Sequence, residues 1–148
     1  MFRRSRKRLE KARRMAASAA THIDNPLTAA LIAELQHAMT GQVVQFGDAG
    51  YDASRQLSNN AFQRFPQAIA YCETFADVRA CLDFAHQHQI PLVPRSGGHS
   101  TAGFSINEGL VMDLSRLSYV VVDPDRRRAV VGAGTNFGHL NAALDDYR

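Results

Sequence analysis

AIAYCETFADVRACLDFAHQHQIPLVPRSGGHS, residues 68–100, holds the pattern on which the fold turns. Ala68 to Cys72 is a short apolar run that suits a buried strand. Thr74, with Asp77 three residues on, predicts a helix start of the capping-box type, with Asp in place of the longer Glu. Val78, Cys81, Leu82 and Ala85 then recur on one helical face as far as His88. Ile90 to Val93, interrupted by Pro91, predicts a second strand. Strand, helix and strand in this length make a βαβ unit, whose crossover is right-handed. The unit ends in a loop, Arg95-Ser96-Gly97-Gly98-His99-Ser100.

Downstream of the loop, Leu110 to Leu114 and Tyr119 to Asp123 read as strands. Pro124-Asp125 marks a turn, and Ala129 to Gly132 a further strand. From Asn136 the chain reads as helical, with Leu140 and Leu144 on one face. Upstream, Asn25-Pro26 is placed to open a helix, because Asn can cap it and Pro has no amide to leave unpaired. Leu27, Leu31, Leu35 and Met39 form its apolar stripe, and Gly41 stands where a helix stop belongs. Residues 41–66 show no regular period. Gly47-Asp48 and Gly50 read as turns there, and Asn59-Asn60 as a loop.

The 148 residues suggest one domain, divided here into a basic tail (1–24), a helix and lead-in segment (25–66) and the βαβ-led body (67–148). The net charge of +3 conceals an asymmetry. Residues 1–14 carry eight basic groups against one acid, Glu10, whereas the rest of the chain carries nine basic and thirteen acidic groups. The tail is expected to be frayed and solvated rather than a nucleic-acid site. Arg3-Arg4 is followed by a charged stretch where an export signal needs an apolar segment, so a cytoplasmic location is expected. No apolar run has the length of a membrane span. Cys72 and Cys81 are too few and wrongly spaced for a disulfide framework and read as small core residues.

Chemistry concentrates in the loop. Successive glycines give backbone amides access to an anion such as a diphosphate. Ser96 and Ser100 offer hydroxyl donors, and Arg95 either adds charge or pairs with a nearby acid. His99 follows both glycines directly, and a neutral imidazole is a competent nucleophile toward an electrophilic cofactor.

Three stretches extend this reading. Pro94-Arg95-Ser96-Gly97-Gly98-His99-Ser100, then Ala102-Gly103-Phe104-Ser105, then Gly109-Leu110-Val111-Met112-Asp113-Leu114-Ser115, resemble the berberine-bridge-enzyme-like FAD-linked oxidoreductases. Gly47-Asp48, Tyr51-Asp52, Arg55 and Asn60 resemble the lead-in of that family, and Phe65-Pro66-Gln67-Ala68-Ile69 its first strand. Asp77-Val78 and Phe84-Ala85 match its first helix, and Val122-Asp123-Pro124 with Val131-Gly132-Ala133-Gly134 its next strands. The resemblance runs from about residue 35 to the last residue. It implies an α+β fold, part of a p-cresol-methylhydroxylase-type FAD domain with a small mixed sheet flanked by helices. It further implies FAD as cofactor, carried covalently by its 8α-methyl on His99. Arg95, Ser96, Gly97, Gly98, Ser100 and Gly103 would surround the diphosphate. Family substrates are small molecules, among them carbohydrates, alkaloids and polyketide alcohols, and a substrate C–H gives hydride to the flavin. Complete members are several times longer and carry their catalytic base farther along. The chain is therefore expected to be an N-terminal fragment, inactive alone, with no residue to name as the base.

Other readings compete with this one. A non-enzymatic remnant binding a partner through the basic tail is the alternative function. Gly132-Ala133-Gly134-Thr135-Asn136-Phe137-Gly138 imitates a dinucleotide fingerprint, but its spacing is GxGxxxG. His86 and His88 diverge by about 200° around a helix and, with His99, do not complete a metal set. Helix-end exposure is expected for both. Glu73, Asp77, Asp145 and Asp146 qualify as acid–base groups by residue type only, and solvated helix surface is expected for them. Tyr119 reads as strand packing.

Overall fold

The computed structural model describes residues 26–147, so the reading of the basic tail lies outside the described residues. Ten elements follow one another: α1 (Ala29–Ala38), β1 (Val43–Gln45), α2 (Tyr51–Ser54), β2 (Ala68–Tyr71), α3 (Phe75–Gln87), β3 (Leu92–Arg95), β4 (Leu110–Asp113), β5 (Val120–Asp123), β6 (Arg128–Val131) and α4 (Phe137–Asp145). The fold is α+β, a mixed sheet flanked by helices, as the sequence implies.

The βαβ unit forms with one refinement. The sheet order is β1-β2-β4-β3, so β4 inserts between the two strands of the unit. Both β2 and β3 run parallel to β4, with Ala68 and Leu92 each opposite Leu110. β1 pairs antiparallel with the outer edge of β2, Val44 facing Ile69. The capping box at Thr74 is complete: Asp77 N donates to Thr74 Oγ1 at 3.1 Å, and Thr74 N donates to Asp77 Oδ2 at 3.0 Å.

Alternation along the strands divides the core in two. Ala68, Ala70, Leu110 and Met112 face α1 and α3, meeting Ile32, Leu35, Met39, Cys81 and Phe84. Ile69 and Val111 point the other way, against Leu57 and Ile106. Helices thus cover one face. The other is covered by lead-in residues 57–62 and the loop after β3, which is where the candidate site lies.

Four expectations are corrected, at the start of α1, Gly41, Asp77 and His88. α1 opens at Thr28, whose Oγ1 accepts from Leu31 N at 3.3 Å, and not at Pro26, while Asn25 lies outside the described residues. Pro26 and Leu27 stay outside the helix, where Leu27 N donates to Gln67 Oε1. The stripe gains Ile32, so Leu31, Ile32 and Leu35 make a helical face broader than a strict four-residue repeat. Gly41 does not stop the helix, since Met39 already turns extended. It is required instead by a close approach: a Cβ there would stand 1.7 Å from the carbonyl oxygen of Tyr71.

Asp77 is the third correction. It is 1% exposed, not solvated helix surface. Its carboxylate accepts from the backbone amides of Thr40, Gly41, Glu73 and Thr74, so one acid ties α1's exit to α3's entry. His88 likewise departs from an exposed helix end: it is half-buried, its ring lies 4.6 Å from that of Phe84, and Nε2 meets Glu34 Oε1 at 3.1 Å. Cys72 and Cys81 are fully buried and free, with sulfurs 3.9 Å apart, as small core residues should be. The hydrogen bond to Cys72, with burial, holds the Cys81 thiol far above its usual range.

β5 and β6 form a separate antiparallel hairpin turning through residues 124–127. α4 is capped by Asn136, whose Oδ1 accepts from His139 N at 2.9 Å, and none of its residues is buried. Tyr119 packs edge-on against Phe75. No helix among the described residues is long and apolar enough to cross a membrane.

Candidate functional site

The site is built where β3 and β4 end together. Arg95 and Asp113 are the last residues of adjacent parallel strands and stand in register. Their side chains pair, Nε to Oδ2 at 2.6 Å, and are 5% and 3% exposed. A buried charge survives only when paired and hydrogen-bonded. Asp113 Oδ1 also accepts from Ser115 N at 2.9 Å and from the Ser115 hydroxyl. Of the two roles open to Arg95, pairing with an acid is the one its Nε takes. Its Nη1 is buried without a hydrogen-bond partner, a donor left over beneath the loop.

Above this pair the chain leaves the sheet. Leu114 N donates to Arg95 O at 2.7 Å, holding the strand exit. Ser96 is exposed, and its hydroxyl donates to Ala133 O at 2.6 Å, so it anchors the loop to the segment after β6. Gly98 is buried at φ +68°, a left-handed conformation that favours glycine, and a Cβ there would meet Leu57 at 3.5 Å. Gly97 lies under the His99 ring; a Cβ on it would approach Cδ2 to 2.7 Å. His99 is exposed, and its Nδ1 lies 2.9 Å from Ser58 Oγ. Ser100 closes the loop, its Oγ accepting from Phe104 N at 3.0 Å and its carbonyl from Gly103 N at 3.3 Å. Gly103, at φ +73°, gives room to the Phe62 ring.

All seven sequence-predicted residues therefore lie in one loop system on the C-terminal side of the parallel strands, the usual place for ligands in such sheets. They play different parts. Arg95 braces the loop from below and Ser96 ties it to the segment after β6, whereas Gly97 and His99 stand exposed, Ser100 is half-buried and Gly98 is buried between them. The backbone amides of residues 97–100 donate to no other group among the described residues. The loop contains no carboxylate, and the acid below it is already neutralised by Arg95. Four open amides, a left-handed glycine and a spare guanidinium nitrogen fit the donor demand of a diphosphate.

Residues not foreseen are Leu57, Ser58, Phe62 and Asp113. Asp113 had a signal, since a buried arginine at a strand end needs an acid on the neighbouring strand. Leu57 and Ser58 had none, because they approach the loop from about forty positions away.

Elsewhere, the GxGxxxG stretch has a packing cause. Cβ atoms on Gly132 and Gly134 would fall 2.1 Å from Leu117 O and 2.3 Å from Leu114 O, so both glycines let one backbone cross another. No group of three or more His, Cys, Asp or Glu is gathered among the described residues.

Residues 66–148 match the family model described as FAD binding domain. The chain belongs to the FAD-binding domain family. As an FAD-binding domain it is 33% identical over 110 residues to an uncharacterised FAD-linked oxidoreductase of Bacillus subtilis, covering 74% of this chain and 24% of that protein. It is 31% identical over 101 residues to (R)-6-hydroxynicotine oxidase of Paenarthrobacter nicotinovorans, covering 68% and 22%. Among solved structures, BBE-like 1 of Physcomitrella patens superposes with a TM-score of 0.73 at 28% identity, covering 78% of this chain and 26% of that one. The FAD-binding domain thus has the p-cresol-methylhydroxylase-type fold of the berberine-bridge-enzyme-like proteins, and the chain spans about a quarter of the length of these relatives.

Proposed function

We propose that the chain is the cofactor-holding part of an FAD-dependent oxidoreductase that oxidises a small molecule, with FAD linked covalently to His99. The observation that carries the reading is the run of open amides from Gly97 to Ser100, with His99 at its exposed rim, inside the segment matched by the FAD-binding family. Gly97, Gly98 and Ser100 would receive the diphosphate, with Gly103 holding the Ser100 carbonyl, Arg95 supporting the loop from below and Ser96 tying it to Ala133. When bound, FAD accepts a hydride from a substrate C–H. His99 would supply the ring nitrogen that carries the flavin's 8α-carbon, giving up its N–H proton, and dioxygen would take up the two electrons and two protons that this bond releases. Ser58, at Nδ1, would fix the orientation of the exposed ring.

The relatives are about four times as long, and one wall does not keep water away from a flavin that His99 holds. We therefore propose that these residues alone do not turn over a substrate. The test is expression in a flavin-replete host, purification and acid precipitation. Flavin fluorescence in the pellet of the wild type, and none with His99→Ala, is the expected result. Equal pellet flavin in both proteins would overturn the His99 assignment, and a pellet and supernatant both free of flavin would favour a non-enzymatic remnant.

A further inference from the structure

Ser58 touches the loop twice. Its backbone amide donates to Gly98 O at 3.2 Å, and its hydroxyl lies 2.9 Å from His99 Nδ1. Its neighbour Leu57 is buried against Gly98. The lead-in segment thus reaches across about forty residues to grip two consecutive loop positions. The His99 ring lies where a side chain on Gly97 would stand, and Ser58 holds it at Nδ1. An exposed imidazole without such a partner samples several rotamers and both neutral tautomers. A nucleophile must meet its target at a defined distance and angle, so ring orientation bears directly on bond formation.

We propose that Ser58 is a positioning residue for His99. Its amide fixes the loop and its hydroxyl fixes the ring's orientation and tautomer. The inference rests on the reading of His99 as the flavin attachment point. A single hydrogen bond of ordinary strength biases such an equilibrium by roughly twofold to tenfold. Ser58→Ala removes the hydroxyl and keeps the amide bond to Gly98, so the two grips are separable.

Two measurements on the full chain test it. Long-range nitrogen–proton correlation spectra of histidine-labelled protein report the tautomer of His99, assigned with His99→Ala. The wild type should favour one tautomer, and Ser58→Ala should shift the ratio twofold to tenfold toward that of free imidazole. Unchanged ring-nitrogen shifts would overturn the proposal. In flavin-loading time courses, Ser58→Ala should slow the appearance of acid-stable flavin twofold to tenfold at an unchanged melting temperature, with Ser58→Thr restoring the rate. An unchanged rate in Ser58→Ala would also overturn it. If wild type and His99→Ala alike lack acid-stable flavin, the attachment reading fails, and the ring spectra still decide the role of Ser58.

Discussion

At Asp77, four backbone amides converge on one buried carboxylate. Burial alone would raise its pKa, but the bonds from Thr40, Glu73, Thr74 and Gly41 favour the charged form and hold it below the ordinary carboxylate range. The sign of the linkage follows. A group with a depressed folded pKa contributes stability that is complete above its unfolded value, about 3.9, and is lost as pH falls through the folded one. Asp77→Asn keeps one acceptor oxygen and sets an amide donor against other donors. It should cost about 2–3 kcal/mol at pH 7 by urea unfolding. The difference from wild type should shrink below about pH 4, where the unfolded carboxylate begins to protonate while the native one stays charged. A difference unchanged between pH 7 and pH 3 would show that shape, not charge, fixes this junction. The sequence marked Asp77 as a helix cap through its spacing from Thr74, but it could not mark the burial. Two of the four donors, Thr40 and Gly41, come from a segment 36 or 37 residues away.

Among the elements, those with a local cause were legible and those made by contact were not. α3 has a capping box and a regular apolar face, and both are present in the fold. β4 is one of three short apolar strands of the sheet, and its four residues are all buried. β1 left no such trace: its three residues have no alternation to read, and they become a strand by lying along β2. The start of α1 was misplaced because Asn25-Pro26 and Thr28 are both sound opening signals. The bond from Leu27 N to Gln67 Oε1 draws the chain into the sheet's margin, so the later one opens the helix. Gly41 belongs to the same junction. A methyl group at this position would overlap the Tyr71 carbonyl, so Gly41→Ala must push β1's approach away from β2. Overpacking of this kind typically costs about 1–3 kcal/mol. The expected result is a lowered thermal midpoint with loss of the β1–β2 amide protection, while the Arg95–Asp113 end of the sheet keeps its own. A midpoint equal to that of wild type would mean the junction is soft enough to yield. The loop from Arg95 to Ser100 was legible as a candidate because it is contiguous, whereas its lateral support by Leu57 and Ser58 is tertiary.

Across the whole molecule, stability should be graded from the sheet centre to the last helix. β4 lies between β2 and β3, and Leu110 and Val111 are fully buried with Ile69 beside them. The hairpin and α4 differ in kind. Every residue of β6 is exposed, α4 buries none, and Phe137, Val130 and Val121 stand 81%, 62% and 61% exposed. Apolar surface left in water contributes nothing to the folded state, so little opposes local opening there. Native-state hydrogen exchange should therefore find Val111 and Met112 amides opening only with the whole fold. Amides of Val130, Val131 and Leu140 should exchange on the order of a hundredfold faster, since each 1.4 kcal/mol of difference is tenfold. The gradient has a consequence for the loop, because Ser96 hangs on Ala133, which belongs to the soft half. Gly97 and Gly98, braced from the firm half by Leu57 and Ser58, should keep their geometry while Ser96 loosens. If β6 and α4 instead exchange as slowly as β4, the hairpin and helix open only with the sheet. The whole loop, Ser96 included, is then as rigid as the core below it.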